Sequence, residues 1–431
     1  MLPQSFLDPR APADVLPAGS LLCARNERAT SVLHLDSGRV LLGVREGELL
    51  RHQLGTVEGP CWLDVAPALL GQPSVADLVA DTTVQVRRVG RSELVCAVAR
   101  LPQAVQDLLR DMARIRRFDT EATALQRKGQ LGLWAPLLGQ EAIQVGVRAA
   151  LGPADHVFPS HREHGLALLM GLPVERILAI FKGAEMGDWD AEQLRFHHYN
   201  MVIGAHTLHG VGYAMGQARD AAADPMADTG VSVIFHGDGA ISEGDVNEAY
   251  VFAAAYQAPA VFICVNNQWA ISEPVELQSR VPLYQRAWGF GIPSVRVDGN
   301  DVLAMQSVTN WALARARAGQ GPTFIEAYTY RMGAHTTSDD PTKYRESSQA
   351  EAWRRKDPLN RTQAWLRASG VWDDAQQARL DQDAEAFGAE VRAAVDRVRA
   401  PRLDEVFDRV YARPTADLTA QRAQALREAG R

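Results

Sequence analysis

The chain is expected to be an α/β protein built on a parallel, doubly wound sheet, preceded by a small all-β roll and followed by a helical C-terminal arm. Three observations carry that expectation. Residues 231–235 and 260–265 are apolar, β-branched runs flanking an Ala-rich stretch of helical spacing, 246–256, which is the pattern of a strand, a crossover helix and a parallel strand. Residues 19–89 hold short alternating apolar segments with Gly-containing turns between them, the pattern of a small antiparallel roll. From Ser347 onward the chain is polar and Ala-rich, with charged helical stretches such as 376–398 that read as solvated packing arms. The expected domains are residues 1–98, 99–345 and 346–431.

In the roll, Val32-Leu33-His34-Leu35, Arg39-Val40-Leu41-Leu42 and Thr83-Val84-Gln85-Val86 are the clearest strands, and Leu101-Pro102 leads into a helix over 103–109. The runs Leu35-Asp36-Ser37-Gly38-Arg39-Val40, Glu58-Gly59-Pro60-Cys61-Trp62-Leu63-Asp64 and Ala68-Leu69-Leu70-Gly71-Gln72-Pro73 together resemble the cyclic-nucleotide-binding fold of bacterial regulators. That family's phosphate cassette carries a Gly-Glu pair and an arginine, whereas Leu63-Asp64 and Ser74-Val75 stand at those places here. A buried anionic phosphate without its counter-charge is unfavourable. The expectation is therefore a retained fold that binds no nucleotide.

The central unit is the most informative part of the chain. Gly237-Asp238-Gly239 follows the first apolar run, Ala240-Ile241-Ser242-Glu243-Gly244-Asp245 opens the helix, and Asn266-Asn267 closes the second run. This order puts Asp238 and Asn267 side by side at the carboxyl ends of neighbouring parallel strands, the usual ligand crevice of an open α/β sheet. One carboxylate plus one amide oxygen is a typical protein contribution to magnesium, which keeps its other positions for water and phosphate oxygens. A Gly-Asp-Gly turn or an Asn-Asn strand end is common alone. Their combination on two strands joined by one helix asks for a diphosphate.

Other blocks follow in a distinctive order: Arg116-Arg117-Phe118-Asp119, Leu125-Gln126-Arg127-Lys128-Gly129, Gly139-Gln140-Glu141-Ala142 and Phe158-Pro159-Ser160-His161-Arg162-Glu163. Further on come Glu273-Pro274, Val297-Asp298-Gly299-Asn300-Asp301 and the run from Tyr330-Arg331-Met332-Gly333-Ala334-His335 to Lys343-Tyr344-Arg345. The 237–267 unit resembles the thiamine diphosphate-binding motif, and the chain from about 108 to 411 resembles the alpha subunit of the decarboxylating component of 2-oxo acid dehydrogenase complexes. The α/β part is thus expected to have the thiamine diphosphate-binding fold.

The resemblance implies roles for particular residues. Asp238, Asn267 and the backbone carbonyl of Trp269 match magnesium ligands, and Gly237, Gly239 and Ala240 lie in the turn that meets the cofactor. Arg162 matches an arginine that holds the diphosphate, a task suited to a planar, bidentate cation. His161 stands where many relatives carry a tyrosine that touches the same group. His335 matches a histidine that contacts the diphosphate and faces the reacting carbon, making it the candidate catalytic residue, and Arg331 matches an arginine that braces its loop. Met201 and Ile203 lie where relatives support the aminopyrimidine ring.

The implied reaction is oxidative decarboxylation of a 2-oxo acid with transfer of the acyl group to a lipoyl acyltransferase core. The run Gly132-Leu133-Trp134-Ala135-Pro136, ending Gly139-Gln140-Glu141, looks closer to pyruvate-type subunits, and Trp134, Ala135, Pro136 and Ile203 are expected to border the substrate. Val265 replaces a basic residue of the branched-chain subfamily, which also favours pyruvate. Branched-chain (3-methyl-2-oxobutanoate) dehydrogenase and acetoin dehydrogenase alpha subunits are the alternatives, with a transketolase-like enzyme as a more distant one. The resemblance also implies a beta subunit that supplies the carboxylate activating the cofactor ring, hence an α2β2 heterotetramer.

Composition agrees with an ordinary globular protein. With 431 residues, 46% hydrophobic and 23% charged, the chain can bury a sizeable core. A formal charge of −7 gives no footprint for nucleic acid or an anionic membrane, and no apolar run has the length of a membrane span. Residues 1–19 lack the basic and apolar regions of a targeting signal, and Cys23, Cys61, Cys96 and Cys264 are scattered as small hydrophobes would be, so a cytoplasmic location is expected. His206 and His209, three apart, find no third partner for a metal site. Glu141 on its Ala-rich helix reads as a satisfied structural carboxylate.

Overall fold

Alternation of side chains decides the architecture of the central sheet. Strands β9 (His156–Phe158), β10 (Ser232–Gly237), β11 (Ala260–Asn266), β14 (Ser294–Asp298) and β15 (Thr323–Tyr328) form one parallel sheet in the order β14-β15-β11-β10-β9. Val233, Phe235, Val261, Ile263, Val265 and Ile325 point to one face and join a core with Val147, Met305 and Leu313. Ile234, Phe262, Cys264 and Phe324 point to the other and pack with Val211, Val246 and Tyr250. Because both faces are covered, every residue of β11 is buried, which is why that strand is continuously apolar. At about 25 cal/mol per Å² of apolar area, these layers supply most of the fold's driving force.

The structure, a computed structural model, describes residues 13–27, 30–47, 49–59, 61–63, 73–74, 76–90, 102–184, 187, 189–224, 230–408 and 410–430. Residues 1–12, Asp64 and Val75 of the altered cassette, Cys96 and Leu101 lie outside these.

The N-terminal strands form two antiparallel four-stranded sheets, as the alternation predicts. One has the order β1-β8-β3-β6, made of Asp14–Leu16, Val84–Gly90, Ser31–Ser37 and Cys61–Leu63; the other, β2-β7-β4-β5, is made of Leu21–Cys23, Asp77–Ala80, Arg39–Glu46 and Leu49–Glu58. Leu33, Leu35, Val40, Leu78, Val84 and Val86 close a separate small core. Gly38, at φ +93°, makes the turn between β3 and β4, where a Cβ would stand 2.5 Å from the Thr83 carbonyl oxygen.

Three elements differ from expectation. The helix expected over 103–109 is the start of a 26-residue helix, Pro102–Arg127, whose buried face holds Leu109, Met112, Ile115 and Phe118. The crossover helix spans Gly244–Ala255 and is preceded by a 3-10 turn, Gly239–Ser242, that reverses the chain above the sheet. The C-terminal helix Asp374–Arg397 is not merely solvated: Phe387, Val391, Ala394 and Val395 enter the main core, and Lys182 Nζ donates to the carbonyls of Val395 and Val398. Among the described residues, no helix is long and apolar enough to cross a membrane.

Candidate active site

The parallel register brings the two informative motifs together. Gly237 pairs with Val265 and Asn266 with Tyr328, so Asp238, Asn267, Thr329 and Arg331 all leave the carboxyl ends of three adjacent strands. Backbone contacts tie them: the Asp238 N–H donates to the Val265 carbonyl at 3.3 Å, and the Arg331 N–H to the Asn267 carbonyl at 3.1 Å. The Asn266 side chain bridges two elements, donating to Glu326 at 2.7 Å and accepting the Gln268 N–H at 3.1 Å. That turn holds Gln268 at φ +72°, an unfavourable conformation for a side-chain-bearing residue, and thereby aims Asn267.

Asp238 is buried, and its Oδ2 has no hydrogen-bond partner. Burial pushes its carboxyl up to about 7, against the pull of its own backbone amide and of Arg331 and Arg162. Asn267 Oδ1 accepts the Trp269 N–H at 3.3 Å. An orphaned carboxylate oxygen beside an amide oxygen is the donor set a small, hard cation uses. Among the described residues no three His, Cys, Asp or Glu side chains converge on a metal position, so oxygens from outside the side-chain set must complete any coordination here.

Opposite the carboxylate stands a cationic wall. Arg162 is buried; its Nη1 donates to the Pro136 carbonyl at 2.5 Å and its Nη2 to the His335 carbonyl at 3.0 Å. Burial and the charge of Arg331 lower its guanidinium to about 10, still protonated at neutral pH. Arg331 is also buried and donates to the carbonyls of Trp269 at 2.8 Å and Ile271 at 2.6 Å and to the Tyr344 hydroxyl at 2.8 Å. His335 Nδ1 faces Arg162 Nη2 at 3.2 Å and Arg331 Nη1 at 3.5 Å. Two guanidiniums can only donate, so Nδ1 is the acceptor and the ring proton sits on Nε2. Burial, then those two cations, lower the His335 imidazole to about 4, leaving it neutral. His161 stacks edge-on to His335 with ring centroids 5.8 Å apart, and burial and Arg162 hold it well below the ordinary histidine range. Two buried guanidiniums crowded against neutral imidazoles are a donor set suited to a polyanion, and the carboxylate with its unpartnered oxygen is suited to a divalent cation.

The fold brings together Arg162, His161, Asp238, Asn267, Arg331 and His335. Gly237 is open above its Cα, with nothing within 4 Å of a Cβ placed there, whereas a Cβ on Gly239 would stand 2.7 Å from that of Ala270. Ala240 is buried behind the turn. The Trp269 carbonyl, expected as a third metal ligand, accepts Arg331 Nη1 instead, so a cation there shares that oxygen or displaces the guanidinium. Met201 and Ile203 are 51% and 42% exposed on the segment before the helix Ala205–Ala223, so this chain alone closes no apolar wedge. Trp134 is fully buried, its ring packed against Phe118, His164 and Phe181, so it is a core residue and not a substrate border. His206 faces the sheet, its Nε2 on the Phe235 carbonyl, and forms no pair with His209.

Several contributors were not singled out by sequence. Glu326 is buried mid-strand, accepting from Asn266, from Arg296 at 2.7 Å and from the Tyr284 N–H at 3.0 Å. A lone carboxylate in the otherwise apolar strand Thr323–Tyr328 is the signal that points to it. Asp339 accepts the His335 N–H at 2.8 Å and the Tyr344 hydroxyl at 2.6 Å, while Arg345 donates to the carbonyls of Arg331 and Gly333, each at 2.6 Å. Glu141 is a satisfied carboxylate, as expected, accepting the Gly139 N–H at 2.9 Å and the Arg116 guanidinium.

Residues 110–405 match the family model described as "Dehydrogenase E1 component". The 3-methyl-2-oxobutanoate dehydrogenase subunit alpha of Mycobacterium tuberculosis (strain ATCC 25618 / H37Rv) is 43% identical over 333 residues, covering 77% of this chain and 89% of that protein. The pyruvate dehydrogenase E1 component subunit alpha of Acholeplasma laidlawii is 37% identical over 312 residues, 71% of this chain and 88% of its own. The protein of the same name from Bacillus subtilis (strain 168) is 36% identical over 306 residues, with 70% and 80% covered. With the family model spanning residues 110–405 and alpha-subunit relatives at 36–43% identity covered over 80–89% of their own length, this chain belongs to the dehydrogenase E1 component family, as an alpha subunit of the 2-oxo acid dehydrogenase type.

Proposed function

We propose that the crevice binds the diphosphate of thiamine diphosphate through magnesium, and that with a beta subunit this chain decarboxylates a branched-chain 2-oxo acid and passes the acyl group to a lipoyl acyltransferase. The observation that carries the cofactor reading is the unpartnered Asp238 Oδ2 within the charge field of two buried guanidiniums, Arg331 and Arg162. When bound, the cofactor supplies a nucleophilic carbon and an electron sink for loss of carbon dioxide. In this reading Asp238 and Asn267 hold the metal, and Arg162 and Arg331 offset the remaining phosphate charge. The open space above Gly237 admits the diphosphate against the backbone. Neutral His335 holds its proton on Nε2, on the edge turned away from both guanidiniums, where it is placed to donate a hydrogen bond to the acyl acceptor.

Substrate and partners come from the relatives and the surface. The 43% identity to a 3-methyl-2-oxobutanoate dehydrogenase alpha subunit, against 37% and 36% for pyruvate dehydrogenase alpha subunits, favours a branched-chain oxo acid. Pyruvate is the second reading, supported by Val265 before Asn-Asn. Exposed Met201, Val202 and Ile203 before the helix Ala205–Ala223, with exposed Val251 and Phe252 on the crossover helix and Tyr256 just after it, are the apolar surface expected where a beta subunit of an α2β2 assembly closes the cofactor crevice. A cytoplasmic location goes with this assignment.

The test is acyl transfer by the co-expressed alpha and beta chains to a free lipoyl domain, with 3-methyl-2-oxobutanoate and pyruvate compared by kcat/KM. A ratio of at least tenfold for the branched acid is expected. A tenfold preference for pyruvate reverses the substrate assignment, and absence of transfer from either acid defeats the reading.

A further inference from the structure

Arg162 is a buried guanidinium whose acceptors are all neutral. Its partners are the carbonyls of Pro136 and His335, His335 Nδ1 and His161 Nε2, and among the described residues it makes no ion pair within 4.0 Å. Asp119, on the helix Pro102–Arg127, is a buried carboxylate in the complementary situation. Its Oδ1 accepts the Trp134 indole N–H at 2.8 Å and the Leu137 N–H at 3.1 Å, and it has no ion pair of its own among the described residues. The two opposite charges share one peptide group. The Pro136 carbonyl takes Arg162, and the N–H of the same amide, on Leu137, is given to Asp119.

That orientation is the favourable one, because a peptide dipole has its positive end at N–H and its negative end at C=O. A carboxylate at the first and a guanidinium at the second polarise the amide from both sides and strengthen both hydrogen bonds. Direct contact would neutralise Arg162 and occupy the edge a ligand needs; contact through a peptide supplies counter-charge and leaves Nη2 turned toward His335. The same carboxylate reaches the His335 loop. It fixes the Trp134 indole, and the Trp134 backbone exchanges two hydrogen bonds with Thr337, accepting its N–H at 2.9 Å and donating to its hydroxyl at 3.0 Å.

We propose that Asp119 is the positioning residue of the diphosphate pocket, serving through the Pro136–Leu137 peptide as the counter-ion that keeps Arg162 charged and aimed when no cofactor is bound. A second carboxylate, Glu163, acts on Arg162 more strongly than Asp119 and also bonds the Arg162 backbone N–H, but its carboxylate is turned to Ser160, whose N–H and hydroxyl it accepts at 2.7 Å each, and no shared peptide joins it to the guanidinium. Asp119 also feels the charges of Glu141 and Arg116; Arg116 lowers its carboxyl from a distance while its own hydrogen bonds go to Glu141 and Asp357. The inference rests on the proposed diphosphate site, because an incoming polyanion gives Arg162 a counter-charge in direct contact, which Glu163, Asp119 and Asp238 do not.

The experiment is thermal unfolding of the co-expressed alpha–beta protein, with and without saturating thiamine diphosphate and magnesium, for Asp119→Asn and for Glu163→Gln as the control. Asparagine keeps an acceptor oxygen for Trp134 and Leu137 and removes the charge, with an amide NH2 in place of the second oxygen. In Asp119→Asn the Tm without cofactor falls by roughly 2 °C or more, and cofactor recovers most of the loss, so the cofactor-induced shift exceeds that of the wild type. Glu163→Gln shows the same shift as the wild type. Equal losses with and without cofactor in Asp119→Asn, or recovery in Glu163→Gln instead, overturn the proposal. Without cofactor, the Asp119→Asn/Arg162→Gln double variant is expected to melt higher than the sum of the single losses allows, and strict additivity also overturns it. A wild type that gains no stability from the cofactor defeats the diphosphate site itself, while the double-variant comparison still decides the coupling.

Discussion

At the residue scale the site is organised around one destabilising group. Asp238 is a buried carboxylate with an unpartnered oxygen, and its carboxyl is raised from the ordinary value to about 7 by burial. Between pH 4 and 7 the folded chain therefore holds a proton at this position that the unfolded chain has lost. Stability from this group is full at low pH and declines as pH rises through about 7. Asp238→Asn is expected to be at least as stable as the wild type without cofactor at pH 8, by about 1 kcal/mol or more, and equal to it near pH 4. Denaturant melts of both proteins across that range read the difference, and a variant less stable than the wild type at pH 8 would mean Asp238 already has a structural partner. Magnesium needs the deprotonated form, so metal-dependent binding is expected to strengthen as pH rises and to level off above about 7.

At the element scale, two glycines of one turn separate fold from function. A Cβ on Gly239 meets Ala270 at 2.7 Å, in the short hairpin that follows Asn267, whereas one on Gly237 meets nothing. Gly239→Ala is expected to destabilise the chain by about 1–3 kcal/mol through overpacking. Gly237→Ala should leave the melting temperature within about 1 °C and weaken cofactor binding by tenfold or more, because its side chain fills the approach to the backbone. Thermal melts with parallel binding titrations distinguish them, and equal loss of stability in both variants contradicts the assignment. The same turn marks what was legible in sequence. Strand alternation and Gly-Asp-Gly with Asn-Asn placed the crevice because they are local patterns. Glu326 and Asp119 act across 15 to 60 residues of chain, as the Trp134–Asp119 and Asn266–Glu326 contacts do, and no local periodicity records them; Asp339 and the Gln268 turn act within five residues, through irregular backbone that has no period. The long helix Pro102–Arg127 was read short because its mean hydropathy is low and only one face is buried. The ring of Trp134 lies in the core, and nothing in its local sequence shows which way an aromatic in a loop points; packing against Phe118, His164 and Phe181 decides it.

At the scale of the whole molecule, the N-terminal roll has its own core of Leu33, Leu35, Val40, Leu78, Val84 and Val86, and so does not need the dehydrogenase core to order its strands. Without a cassette arginine it is expected to bind neither cyclic AMP nor cyclic GMP in calorimetry; micromolar binding of either would make it a sensor. The dehydrogenase part depends on a different logic, two buried guanidiniums and a buried carboxylate with an unpartnered oxygen. The most direct measurement is calorimetric titration of thiamine diphosphate into the co-expressed alpha–beta protein, with and without magnesium, for the wild type, Asp238→Asn and Asn267→Ala. Magnesium-dependent binding in the wild type, weakened at least 100-fold in Asp238→Asn and at least tenfold in Asn267→Ala, is the expected result. Magnesium-dependent affinity unchanged in both variants would contradict it, because the metal would then be held by other groups.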